Sequence, residues 1–158
     1  MAVPGQGFEP ASGDGEAVPP GAARAAELRT AYEGLLQIRR LVNGAAGAEV
    51  PAAWEVRQPA RAVALALEAS GIPPSAVDGQ GRRTRTGYRV AAAAEPGRVE
   101  VTWLGPPGGG AAGEEQERLT ECAGVLEPLG WACLLYRGPR RRRFLEVEPP
   151  HGHRQGPA

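Results

Sequence analysis

Two histidines, His151 and His153, and two cysteines, Cys122 and Cys133, are the residues whose types could coordinate a metal or attack an electrophile. The H-x-H pair lies in a Pro- and Gly-bearing tail with no third ligand beside it. A metal site would require that tail to fold back onto the cysteines. Two cysteines make no disulfide framework, and such residues serve as small buried hydrophobes. No Ser/His/Asp set can be assembled: both histidines are in the tail and there is no G-x-S-x-G. The two aspartates, Asp14 and Asp78, lie in the N-terminal segment and in a Gly-flanked turn, and nothing marks a working pair of glutamates. The expectation is no catalytic residue, no metal and no cofactor.

A Gly-rich stretch from Gly105 to Gly113 precedes a helix, a setting in which backbone N–H groups can cradle phosphate. It lacks the Lys and the GK[ST] that complete a phosphate loop. Glu114, Glu115 and Glu117 follow at once and would repel an anion, so it reads as a flexible connector.

Arginine is the feature above background. All 18 basic residues are Arg, and there is no Lys. The codon composition of a GC-rich bacterial genome accounts for this bias. Two concentrations stand out, Arg82, Arg83, Arg85 and Arg89, and Arg140, Arg141, Arg142 and Arg143. Such groups can contact nucleic-acid phosphates. They also suit solvated edges, where charge discourages strand-to-strand pairing. With 18 acids the formal net charge is zero, so no global charge draws the chain to nucleic acid or to a membrane.

These side chains need elements to hold them. From Ala22 to Asn43, Leu28, Ala31, Leu35, Ile38 and Val42 recur at steps of three and four, with Tyr32 beside them, which predicts an amphipathic helix closed by Gly44. Arg39 and Arg40 fall in its last turns, where the helix dipole favours cations. Its apolar face (Leu28, Tyr32, Leu35, Ile38, Val42) is a candidate partner or self-association surface. Gln58-Pro59 opens a second helix with Ala60, Val63, Ala64 and Leu67 as its stripe and Gly71 as its C-terminal cap. Glu114 to about Glu127 is a third, burying Leu119, Cys122 and Val125 or Leu126.

Thr84 to Ala93 and Arg98 to Trp103 alternate about Pro96-Gly97 and predict a hairpin, with Val90 opposite Trp103 and Ala92 opposite Val101. Trp131–Arg137 and Arg142–Glu148 predict a second one. There Ala132, Leu134 and Tyr136 are expected to face Leu145 and Val147. That pair is apolar on both sides, and the first helix is the expected cover. Trp54 reads as an anchor on the core.

The fold class that follows is α+β: two helix–hairpin (αββ) units forming a four-stranded antiparallel sheet with helices packed on it, plus an N-terminal amphipathic helix. The expected organisation is a disordered tail over 1–21, the amphipathic helix over 22–44, a linker over 45–55, the domain over 56–148 and a second disordered tail over 149–158. Gly 23 and Pro 16, about a quarter of the chain, support the unpacked tails. The N-terminus has no secretory pattern and no stretch is apolar enough to span a membrane. The default is a cytoplasmic protein with reduced thiols. The leading functional expectation is a non-enzymatic module that binds a protein partner or forms a homo-oligomer. The alternatives are nucleic-acid binding through the Arg-rich hairpins and, last, an enzyme whose site is not recognised.

Overall fold

A computed structural model of the chain describes residues 7–138 and 142–150. His151, His153, Arg140 and Arg141 therefore lie outside the described residues.

The chain forms helices α1 (Ala22–Val42), α2 (Ala53–Arg57), α3 (Pro59–Ala69) and α4 (Ala111–Leu126), and strands β1 (Ala76–Val77), β2 (Arg83–Arg85), β3 (Gly87–Ala92), β4 (Val99–Leu104), β5 (Ala132–Arg137) and β6 (Arg143–Glu148). The main sheet is antiparallel, in the order β3-β4-β6-β5. Each αββ unit contributes one hairpin, and the two hairpins join through β4 and β6. β1 and β2 pair separately, beside β3. No helix is long and apolar enough to cross a membrane among the described residues.

All helices that touch the sheet lie on one face. Alternation sends Tyr88, Val90, Val99, Val101, Trp103, Leu145 and Val147 to that face, and all are buried. α4 covers them with Leu119, Cys122 and Leu126, and α3 is buried along the whole run Ala62–Leu67. The Pro at the start of α3 and the cap at its end act as the sequence implies. Gly71 N–H donates to the Glu68 carbonyl and Ile72 N–H to the Leu67 carbonyl, closing the last turn. Each fully buried Leu, Val or aromatic side chain contributes about 1.5–3 kcal/mol, so this shared face is the main source of stability.

Both hairpins form, but in different registers from those expected. In the first, Val90 faces Val101 and Tyr88 faces Trp103. The Ala93 N–H donates to the Arg98 carbonyl, so the turn spans four residues. The slip is two residues, an even number, so every side chain keeps its expected face. In the second, Cys133 faces Val147 and Leu135 faces Leu145. Here the slip is one residue, because Gly138 N–H bonds the Arg142 carbonyl and the loop takes in an extra residue. Cys133 and Leu135 therefore turn toward the helices, and Ala132, Leu134, Tyr136 and Phe144 turn outward.

The strand expected from Thr84 to Ala93 is broken at Thr86, between β2 and β3. Residues 73–75 run parallel beside the start of β3. Tyr88 N–H donates to the Pro73 carbonyl, and Ser75 N–H to that of Tyr88. A side chain at Gly87 would run into Pro73, Pro74 and Ser75 backbone atoms.

Two segments expected to be unpacked are packed. Residues 45–55 hold a 3-10 turn and α2, with Ala52, Trp54 and Glu55 buried. Trp54 is a core anchor, as its type implied. Residues 8–15 of the N-terminal segment are also bound, with Phe8, Pro10 and Gly13 buried, whereas residues 16–21 are largely exposed. Its low apolar content does not leave it loose, because hydrogen bonds and ion pairs add to the burial of Phe8 and Pro10.

The first helix is not the cover of the second hairpin. α1 packs along α3 and against the 3-10 turn. Arg39, in the last turns of α1 where the helix dipole favours a cation, is fully buried and paired with Glu55.

Candidate protein-interaction site

The apolar face of α1 is largely consumed by its own fold. Leu35 is buried, and Leu28, Tyr32 and Ile38 pack against the core. Val42 remains 53% exposed beside Leu41, 67% exposed.

The arginine clusters are tied into the fold by carboxylates that the sequence did not pair with them. Asp14 accepts from Arg83 Nη2 at 2.5 Å and from Arg89 Nε at 2.7 Å. Burial raises the pKa of this carboxyl, but the hydrogen bonds and charges of Arg89 and Arg83 outweigh it and hold the group below its ordinary value. Glu115 is buried on α4. It accepts from Arg142 Nε at 2.7 Å and from the Arg143 backbone N–H at 2.9 Å. Arg142 Nη2 also donates to the Trp103 carbonyl. Glu114 accepts from the Trp103 indole at 3.1 Å. Of the eight arginines singled out in the sequence, Arg83, Arg89, Arg142 and Arg143 thus carry internal partners, Arg82 and Arg85 are exposed, and Arg140 and Arg141 lie outside the described residues. No group of three or more His, Cys, Asp or Glu side chains that could hold a metal forms among the described residues.

The two edges of the sheet differ. The outer edge of β3 is covered by the N-terminal segment, since Val90 N–H donates to the Ser12 carbonyl. The outer edge of β5 has no backbone partner among the described residues. β5 also carries the exposed apolar side chains of the sheet. Leu134 is 59% exposed and Tyr136 is 42% exposed. Tyr136 stacks on Phe144, with ring centroids 5.4 Å apart, so a three-residue apolar patch forms on the face away from the helices. Next to it the same face is ionic, with Arg98 paired to Glu95 and Glu148.

Reading sequence alone missed this site because the one-residue register error turned Leu134 and Tyr136 inward. The usable signal was the helix-face set of Leu145 and Val147, which leaves Phe144 outside and draws its partner Tyr136 with it. Searches against protein-family models, curated proteins and solved structures find no match for the chain.

Proposed function

We propose that this protein is a self-association module in which β5 of one copy pairs antiparallel with β5 of a second, making one eight-stranded sheet. The observation that carries the reading is the open β5 edge with Leu134 and Tyr136 beside it. Strand addition at such an edge supplies main-chain hydrogen bonds, and the alternating side chains supply specificity. A two-fold pairing centred on Leu134 places Ala132 opposite Tyr136 of the other copy and Cys133 opposite its Leu135. Helix-side residues then meet helix-side residues, as a two-fold interface requires. The one charge within β5, Arg137, falls opposite an aromatic, Trp131, and like charges do not meet.

The edge has none of the usual guards against pairing: β5 contains no Pro and no Lys, and its single Arg is terminal. Sedimentation equilibrium on the full chain and on Leu134→Lys tests the reading. The expected result is a concentration-dependent dimer for the parent and a monomer of unchanged circular dichroism for the variant. A parent that stays monomeric into the submillimolar range, or a Leu134→Lys dimer of undiminished strength, would remove the proposal.

A further inference from the structure

Residues Phe8–Gly15 are bound to the domain in the manner of a peptide ligand. Six of their carbonyl oxygens accept hydrogen bonds from domain groups. Phe8 O accepts from Arg61 Nη2 at 2.7 Å, Glu9 O from Arg24 Nη2 at 3.1 Å, and Ala11 O from the Tyr88 hydroxyl at 2.7 Å. Ser12 O accepts from Val90 N–H, Gly13 O from Arg83 Nη1, and Gly15 O from Val77 N–H. The Ala11 N–H in turn donates to Glu68 Oε1 at 2.8 Å. Burial pushes the Tyr88 hydroxyl far above its ordinary pKa, so it remains a protonated donor. Contacts of this kind read main chain and are indifferent to sequence.

Selection then falls to a few side chains. The Phe8 ring is buried, with the Arg24 guanidinium 4.3 Å from its centroid. Arg24 itself is fixed by Glu68 at 2.8 Å. Pro10 is buried. Gly13 has φ +94°, and a Cβ there would strike the Tyr88 carbonyl and the Arg89 Cα, so only glycine fits. Asp14 enters the Arg83–Arg89 clasp. A shallow recess beside Phe8, lined by Ala26, Thr30, Ala31 and Gly34, leaves room for a larger ring.

We infer that the channel bounded by α1, α3, β1, β2 and β3 is a peptide-recognition site for a segment of the pattern aromatic–x–Pro–x–x–Gly–acid, and that the chain's own Phe8–Asp14 is its resident occupant. A partner carrying that pattern binds by displacing the resident segment. The two cationic stations, Arg24 over the ring and Arg83 with Arg89 at the carboxylate, set the spacing of six residues between the two anchors. The site is separate from the β5 edge and does not depend on it.

The test is fluorescence anisotropy with a labelled peptide copying residues 7–16, titrated with the full-length parent, Asp14→Asn and Phe8→Ala/Asp14→Asn proteins. A tethered occupant competes at an effective concentration on the order of millimolar, so the parent should bind the peptide weakly. Affinity should rise tenfold or more from parent to double variant, and a peptide with Asn in place of its own Asp should lose tenfold or more. Leu134→Lys should leave peptide binding unchanged, which separates this site from the self-association reading. If the double variant does not fold, Asp14→Asn alone carries the same comparison, because its partly exposed clasp is not part of the core. Absence of saturable binding to a folded variant, or equal binding of a scrambled peptide, overturns the inference. A parental dimer that the same two substitutions make monomeric overturns it in favour of segment exchange between copies.

Discussion

Arg39 and Glu55 meet as two parallel hydrogen bonds, Nε to Oε2 at 2.8 Å and Nη2 to Oε1 at 2.6 Å, with both side chains closed off from solvent. The remaining guanidinium nitrogen, Nη1, donates to the Ala48 carbonyl at 2.9 Å and to the Leu129 carbonyl at 2.7 Å. Glu55 Oε2 also accepts from the Ala52 N–H, at the start of α2. One side chain therefore fastens α1 to the 3-10 turn, to α2 and to the turn that follows α4. This network explains why residues 45–55 are ordered although their composition is that of a linker.

Removing one partner should cost far more than removing both. Arg39→Met leaves a buried carboxylate without its counter-charge and two carbonyls without their donor, which costs about 3–5 kcal/mol. In Arg39→Met/Glu55→Leu the stranded charge is gone, and much of that loss should be recovered. Urea denaturation of the two variants and the parent measures this directly. Equal destabilisation by both would mean that the two carbonyls, rather than the ion pair, dominate.

Asp14 makes stability depend on pH in the acid range. Its folded pKa lies below the ordinary value of 3.8, so folding favours the ionised form. The sign follows: the contribution is fully present above 3.8 and is lost as pH falls through the depressed folded value. Asp14 is 42% exposed, so the two contacts are screened and amount to about 1 kcal/mol or less. Asp14→Asn should be less stable than the parent at neutral pH and converge with it in acid. Parallel curves across the whole range would show that the clasp is not what holds this segment.

Much of the fold follows from patterns of polar and apolar residues, and the failures have a common physical origin. The two αββ units, the Gly71 cap, the matched apolar faces of the first hairpin and the Leu119–Cys122–Leu126 stripe are all periodic or local signals. What periodicity does not carry is the partner of a charge. Arg39 stands in phase with Ala31 and Leu35 on α1, and Glu115 stands in phase with Ala111 and Leu119 on α4. Each falls on a buried stripe, a phase that in hindsight demands a buried counter-charge. Their partners lie 16 and 27 residues away, and no helical or strand spacing links them. The N-terminal segment was illegible for the same reason, because Asp14 finds Arg83 and Arg89 about seventy residues on. The β5 patch was lost to a single residue of hairpin register, which inverts both faces of a strand.

Desolvation should slow both thiols while the protein is folded, with Cys122 buried and Cys133 half-buried. Cys122, on the sheet-facing side of α4, and Cys133, on the helix side of β5, are each pushed up to about 12 from an ordinary value of 9.0, chiefly by desolvation. The thiolate is the reactive species, and a rise from 9.0 to about 12 lowers its fraction about a thousandfold near neutral pH. Alkylation by iodoacetamide should be slow for the native chain and rapid in denaturant, with mass spectrometry reading the two sites separately. Labelling of Cys133 in the folded state as fast as in denaturant would mean that the β5 edge frays.

Gly87 and Gly124 form a matched pair of glycine-to-alanine tests. At Gly87 a new Cβ would collide with the backbone of Pro73, Pro74 and Ser75, whereas at Gly124, inside α4, it would meet open space. Forcing the paired chains apart at Gly87 strains the two hydrogen bonds that Tyr88 makes to Pro73 and Ser75. Overpacking of this kind costs about 1–3 kcal/mol. Gly124→Ala only restores helix propensity and should stabilise by about 0.5–1 kcal/mol. Hydrogen exchange adds the local readout: the Tyr88 and Ser75 amides should exchange faster in Gly87→Ala and unchanged or more slowly in Gly124→Ala. Because residues 73–75 and the N-terminal segment lie along the same strand, Gly87→Ala should also loosen the bond from Val90 N–H to Ser12. Fast exchange at Tyr88 with full protection at Val90 would show instead that residues 73–75 and the N-terminal segment are held independently.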